Sequence, residues 1–142
     1  MTASDRSLQE RLLVLILRLG SALLLTAFLT IVMPTSWMAS SHRWLRMGEF
    51  PGTPLVDYLT RSVSALYGFH GIFLAVLSSD VRRFRPLVVF LAWMNVAFGL
   101  ILLGVDLHAG LPWWWTAAEG PSVFVMGLML HYLVRFVPRG GG

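Results

Sequence analysis

Apolar runs of membrane-crossing length dominate this chain and limit what it can fold into. A helix that spans a bilayer needs roughly 20 consecutive, mostly apolar residues. Such runs lie near residues 12–33, 55–78, 86–104 and 119–137. Only 13% of the residues are charged while 56% are hydrophobic, and mean hydropathy is +0.71. Soluble domains carry about 25% charged residues, and a soluble chain this apolar would expose patches large enough to aggregate. The sequence therefore predicts one all-α domain over residues 1–142, an integral membrane four-helix transmembrane bundle.

Boundary signals refine the runs. The first holds Arg18 and Gly20 and stops at Pro34. It is longer than the roughly 7–15-residue core of a signal peptide, and no good cleavage site follows, so it reads as a retained span. For the second, Thr53 is the expected N-cap and Pro54 the first helical residue. The third is opened by Pro86 and closed by Gly104. The fourth has two possible starts. One is Pro121; the other is earlier, through a capping box of Thr116 and Glu119 that would leave Gly120-Pro121 inside the helix as a kink. In the link 34–53, Trp37, Met38, Trp44 and Leu45 share one side of a helical wheel, with His42, Arg43 and Arg46 opposite. That pattern predicts a short interfacial amphipathic helix.

Arginine placement predicts orientation. Arg6 and Arg11 precede the first run, Arg82, Arg83 and Arg85 fill the second link, and Arg135 and Arg139 follow the last run. The third link carries no arginine, and Trp37, Trp44 and Trp113 to Trp115 fall on its side. Both termini are thus expected in the cytoplasm, with the chain in a bacterial-type inner (plasma) membrane.

Composition removes several chemistries. There are no cysteines and no lysines, all 11 basic residues being arginine. Disulfides, thiolate metal sites, cysteine nucleophiles, Schiff bases and a Walker A lysine are excluded. The net charge of +4 suits anionic lipid headgroups. The arginines are scattered beside apolar runs, which does not point to nucleic acid. No nucleophile-elbow, metalloprotease, dinucleotide-binding or paired-carboxylate motif is present.

What remains is a set of polar residues inside the runs, where such groups are costly and usually face the bundle interior. His70, Asn95 and His131 fall within about one helical turn of each other in depth, counting 1.5 Å per residue. Two histidines on different helices at one depth are what a bis-histidine haem b requires. The plainer reading is interhelical hydrogen bonding. A quinone-like ligand would need polar groups in an apolar cleft, for which His70, His131, Asn95, Tyr67 or Tyr132 qualify. Arg18 either pairs with a ligand anion or snorkels to the headgroups, and Arg135 snorkels one turn beyond His131. Ser64, Gly68, Gly71 and Ala75 form a small-residue stripe within about 60° on the wheel, suited to close helix packing, with His70 pointing elsewhere. Asp106, His108 and Glu119 read as solvated loop residues and a helix cap, with a divalent metal site as the sharper alternative.

From about residue 61 onward the chain resembles small bacterial membrane proteins of the broad DoxX-like type. The residues that carry this are Leu66-Tyr67-Gly68 with Gly71, then Asp80 with Arg82, Arg83, Arg85 and Pro86, and later Asp106, Gly110, Pro112 and Glu119. The Trp113-Trp114-Trp115 run and the long first link depart from that outline. The resemblance implies four helices and cytoplasmic termini, and an association with quinone-linked sulfur metabolism. It assigns no residue a role.

The reading favoured by these residues is a non-catalytic integral membrane protein, either an accessory subunit or a module for a small apolar, quinone-like ligand. His70, Asn95, His131, Tyr67 and Arg18 are its candidate ligand-binding residues. The alternatives are a redox component holding haem b through His70 and His131, and a protomer of a small transporter or channel. Expected partners are membrane lipids, the small molecule, and further copies of the chain or subunits of a larger membrane complex. The favoured reading predicts a colourless, well-folded preparation from haem-replete cells. Sharp α and β bands in a reduced-minus-oxidised spectrum, lost in both His70→Ala and His131→Ala, would establish the cytochrome instead.

Overall fold

The computed structural model describes residues 7–138. Its elements are α1 (Leu8–Leu25), α2 (Phe28–Val32), α3 (Thr35–Trp44), α4 (Pro54–Ser79), α5 (Arg85–Ala109) and α6 (Trp113–Val134). The fold class read from the sequence holds, with no strand among the described residues. The stretches Leu8–Val32, Pro54–Ser79, Arg85–Ala109 and Trp113–Val134 are each long and apolar enough to cross a membrane. The chain is thus a multi-pass membrane protein. The described residues form two compact units, residues 18–76 and residues 7–17 with 77–138.

In the unit of residues 18–76, α1 and α4 run antiparallel at close range. Ser21 Oγ donates to the Gly71 carbonyl at 2.8 Å. A Cβ on Gly71 would stand 2.9 Å from the Leu25 nitrogen, and one on Gly68 would stand 2.5 Å from the Phe28 ring. At Gly68 and Gly71 the small-residue stripe of α4 is therefore filled by this chain's own first span. That span is not one helix. Thr26 and Ala27 make i→i−3 bonds to Leu23 and Leu24, and Thr26 Oγ1 also donates to the Leu23 carbonyl at 2.6 Å. A threonine hydroxyl competing for backbone carbonyls bends helices, and here α1 ends and α2 restarts.

The far end of α2 is held by Arg61. Its guanidinium grips Asp57 at 2.9 and 3.1 Å. The same group donates to the carbonyls of Met33 at 3.1 Å, Thr30 at 3.4 Å and Ile31. The last carbonyls of a helix lack intrahelical partners, and one arginine supplies them here. Thr35 Oγ1 donates to Asp57 Oδ1 at 3.3 Å, tying the start of α3 to the same cluster. Helix α3 is the expected helix of the first link, with Met38 buried and Trp37 and Trp44 exposed. Thr53 caps α4 as expected, its Oγ1 accepting from the Val56 N–H at 3.3 Å.

In the other unit, α1 starts at Leu8 rather than Leu12, capped by Ser7 Oγ, which accepts from the Glu10 N–H at 3.3 Å. Glu10 is 1% exposed and makes a two-pronged ion pair with Arg82, at 2.9 and 2.8 Å. Arg85 Nε donates to the Val137 carbonyl at 3.1 Å. Leu13, Leu77, Val81, Val88 and Val134 are among the side chains buried here.

Two helix ends differ from expectation. Helix α5 runs through Gly104 and stops only at Gly110, whose φ of 66° is the left-handed cap that glycine adopts without strain. Helix α6 starts at Trp113, earlier than either predicted start, and ends at Val134. The Thr116–Glu119 capping box does not form. Thr116 is inside the helix and donates back to the Pro112 carbonyl at 3.5 Å, and Glu119 accepts from the Trp115 indole. Pro121 lies inside α6.

Helices α5 and α6 meet antiparallel along a glycine seam that the sequence reading missed. A Cβ on Gly99 would lie 2.5 Å from the Phe124 nitrogen. One on Gly120 would lie 2.8 Å from the Gly99 oxygen, and one on Gly127 would lie 2.7 Å from the Ala92 oxygen. These are backbone atoms, which cannot swing aside. Gly104 of the same helix meets nothing within 4 Å. The pair gives a matched test. Gly99→Ala is expected to lower stability by about 1–3 kcal/mol, whereas Gly104→Ala should be neutral or gain up to about 1 kcal/mol from helix propensity. Thermal unfolding in detergent reads both, and equal effects at the two positions would refute the seam.

Candidate functional site

The polar residues singled out from the sequence are divided between the two units. Arg18, Tyr67 and His70 belong to residues 18–76, and Asn95 and His131 to the other unit. Arg18 is exposed on α1 and Tyr67 is half-buried on α4. His70 is half-buried, with its ring 6.0 Å from that of Phe73.

His131 packs on Trp93, ring centroids 4.9 Å apart. Arg135 Nη2 lies 2.8 Å from His131 Nε2. A guanidinium only donates, so Nε2 is the acceptor and a neutral ring carries its proton on Nδ1. That Nδ1 is buried with no partner among the described residues. Nε2 is thus taken by Arg135 and Nδ1 is enclosed, an arrangement that does not fit an axial haem ligand. Asn95 sits about 200° round α5 from Trp93, half-buried. Tyr132 is exposed and makes an edge contact with Phe136 at 5.2 Å.

The arrangement with most chemical content lies elsewhere, at the α5–α6 link. Asp106 was read from sequence as a solvated loop residue. It is in fact in the last turn of α5 and 2% exposed. Its Oδ2 is buried with no hydrogen-bond partner among the described residues. Thr116, packed nearby and 8% exposed, spends its hydroxyl on the Pro112 carbonyl and not on this carboxylate. An unsatisfied buried polar atom costs about 1–3 kcal/mol, more when charged, and such orphans in a folded protein call for an explanation.

Asp106 lines an open cavity of about 450 Å³. Its apolar wall comes from Leu103, Leu107 and Leu111 of α5 and the link, and α6 contributes Trp113, Thr116 and Ala117. A largely apolar cleft with one or a few polar groups is the usual form of a small-molecule site. The helix extension explains why the sequence misplaced it. Because α5 passes Gly104, the carboxylate comes under the start of α6 rather than into solvent. The available signal was the spacing of Asp106 from Leu103 and Leu107, which puts all three on one helix face.

His108 is exposed, Glu119 is occupied by Trp115, and the described residues hold no cluster of three or more metal-ligating side chains. Comparison with protein-family models, curated proteins and solved structures finds no match to this chain.

If Asp106 serves a ligand rather than the fold, its removal should not weaken the empty protein. Asp106→Leu is expected to leave the apparent Tm in detergent unchanged or to raise stability by about 1 kcal/mol, because a buried unpaired acceptor disappears. A clear drop in Tm would make the carboxylate a structural element.

Proposed function

We propose that this chain is a non-catalytic multi-pass membrane protein, an accessory or binding module whose α5–α6 pair holds a small, largely apolar ligand. The observation that carries this reading is the open cavity of about 450 Å³ lined by leucines and by Asp106, a residue with one buried, unpartnered carboxylate oxygen. A carboxylate accepts hydrogen bonds and does not donate them when ionised. The ligand at this place therefore carries a donor on an apolar body. A quinone's ring oxygens only accept, so a quinone-linked role of the kind the DoxX-like resemblance implies would bring the reduced, hydroxylated form here.

The cavity lies where α5 ends and α6 begins, within about one turn of the end of a membrane-crossing stretch. A ligand dissolved in the lipid reaches such a place laterally, and its polar group then sits at headgroup level. The protein framework needs little rearrangement to receive it, since the glycine seam below the cavity is rigid. The proposed topology, with both termini in the cytoplasm, puts the mouth on the outer side.

Ala117 lines the cavity from an exposed position, so Ala117→Phe should fill the cavity. Titration of the detergent-purified protein with 4-phenylbutanol, an apolar body with one donor, should give saturable quenching of tryptophan fluorescence. In Ala117→Phe the affinity should fall about tenfold or more, equivalent to ~1.4 kcal/mol. Absence of saturable binding, or equal affinity in both proteins, would overturn the reading.

A further inference from the structure

We infer that the α5–α6 cavity selects organic ammonium ions: a primary or secondary amine, protonated, on an apolar body that fits among Leu103, Leu107 and Leu111. This rests on the reading of the cavity as a ligand site and narrows it to one charge class.

The first support is the balance of donors and acceptors. The Asp106 carboxylate oxygen has no donor in the described chain. Asp106 sits in the last turn of α5, where the backbone carbonyls concentrate partial negative charge. The Gly110 and Leu111 N–H groups fold back to the Leu107 and Asp106 carbonyls and are spent there. A hydroxyl brings one donor; a primary ammonium brings three.

The second support is charge. The link 110–112 and the helix ends beside it contain no arginine. Three arginines of this unit are engaged elsewhere: Arg82 with Glu10, Arg85 with the Val137 carbonyl, Arg135 with His131. A carboxylate buried without a counter-charge is costly, and among the described residues no donor meets its Oδ2, which leaves that place to a cation from a ligand. The third support is Trp113. It lines the cavity yet is 81% exposed, so its indole stands at the mouth, where a cation can pass over its face.

Charge complementarity would also reject the commonest amphiphiles of the surroundings. Fatty acids and anionic lipids meet the Asp106 carboxylate, a repulsive pairing that contributes to selectivity without any new contact.

The test uses a matched pair of probes on the full chain in a neutral detergent. 4-Phenylbutylammonium and 4-phenylbutanol share one apolar body and differ in the terminal donor and its charge. Isothermal titration is expected to show the ammonium binding roughly tenfold or more tighter than the alcohol. In Asp106→Asn, which keeps shape and removes charge, the ammonium should lose that advantage while the alcohol is held as before. Trp113→Leu should weaken the ammonium alone, by a few-fold. Alcohol and ammonium binding equally, or an ammonium advantage that survives in Asp106→Asn, would overturn the charge selectivity while leaving an apolar-ligand site in place. Failure of both probes would sink the site itself. Should Asp106→Asn not fold, the wild-type comparison of the two probes and the Trp113→Leu comparison still decide the matter.

Discussion

Helices in hydrocarbon gain nothing from hiding apolar side chains, because lipid tails are as apolar as leucine. What holds them is close packing of backbone on backbone and the pairing of polar groups. The rest of this structure depends on that constraint. Along α5–α6 the glycines at 99, 120 and 127 bring main chains to distances at which no Cβ fits. Along α1–α4, Gly68 and Gly71 do the same, and the Ser21 hydroxyl adds a hydrogen bond to the Gly71 carbonyl. The bulky residues are left for the outside. Leu19, Leu23, Phe69, Phe90, Ile101 and Leu107 are all at least 60% exposed, as side chains facing lipid are.

Against this background the buried polar groups separate by how completely they are answered. Glu10 has Arg82, joined by two bonds. Arg61 is answered by Asp57 and by the carbonyls at the end of α2, so that one side chain ends a helix and pins another. In both clusters the charged groups have partners. Asp106 is the contrasting case: equally buried, placed at a helix end whose dipole it opposes, and given no donor. Fold-building charges here are paired, and the unpaired one lines the cavity. That contrast, rather than any resemblance, is what separates the proposed site from the scaffold.

Much of the scaffold was legible because it follows from length and hydropathy. The spans, the Thr53 cap, the interfacial helix and the close-packing side of α4 all come from local spacing. Three features were not legible, for physical reasons. The break at Thr26–Ala27 lies inside an unbroken apolar run, so hydropathy carries no trace of it. Gly104 read as a stop because glycine disfavours helix, yet tertiary packing overrides a propensity of about 1 kcal/mol. The α5–α6 seam needs both helix rotations to be known, which packing sets and periodicity does not. The misplacement of Asp106 followed from the Gly104 error, since five further residues of α5 turned a loop carboxylate into a buried one. The intramembrane histidines drew notice for their depth, but the His131 ring is engaged locally by Trp93 and Arg135.

The glycine seam also governs how this sequence can drift over generations. Every single-base change of a glycine codon that is not synonymous brings a residue with a larger side chain or ends translation. At positions 99, 120 and 127 the genetic code therefore offers no neighbouring step that keeps the fit, and an escape requires coordinated changes across two helices. The lipid-facing leucines and phenylalanines a few ångströms away are free to wander among aliphatic and aromatic residues, because the solvent they touch is fluid and takes any shape. The lineage of such a protein should thus look immobile along one narrow line and loosely constrained around it, with the immobile line made of its smallest residues.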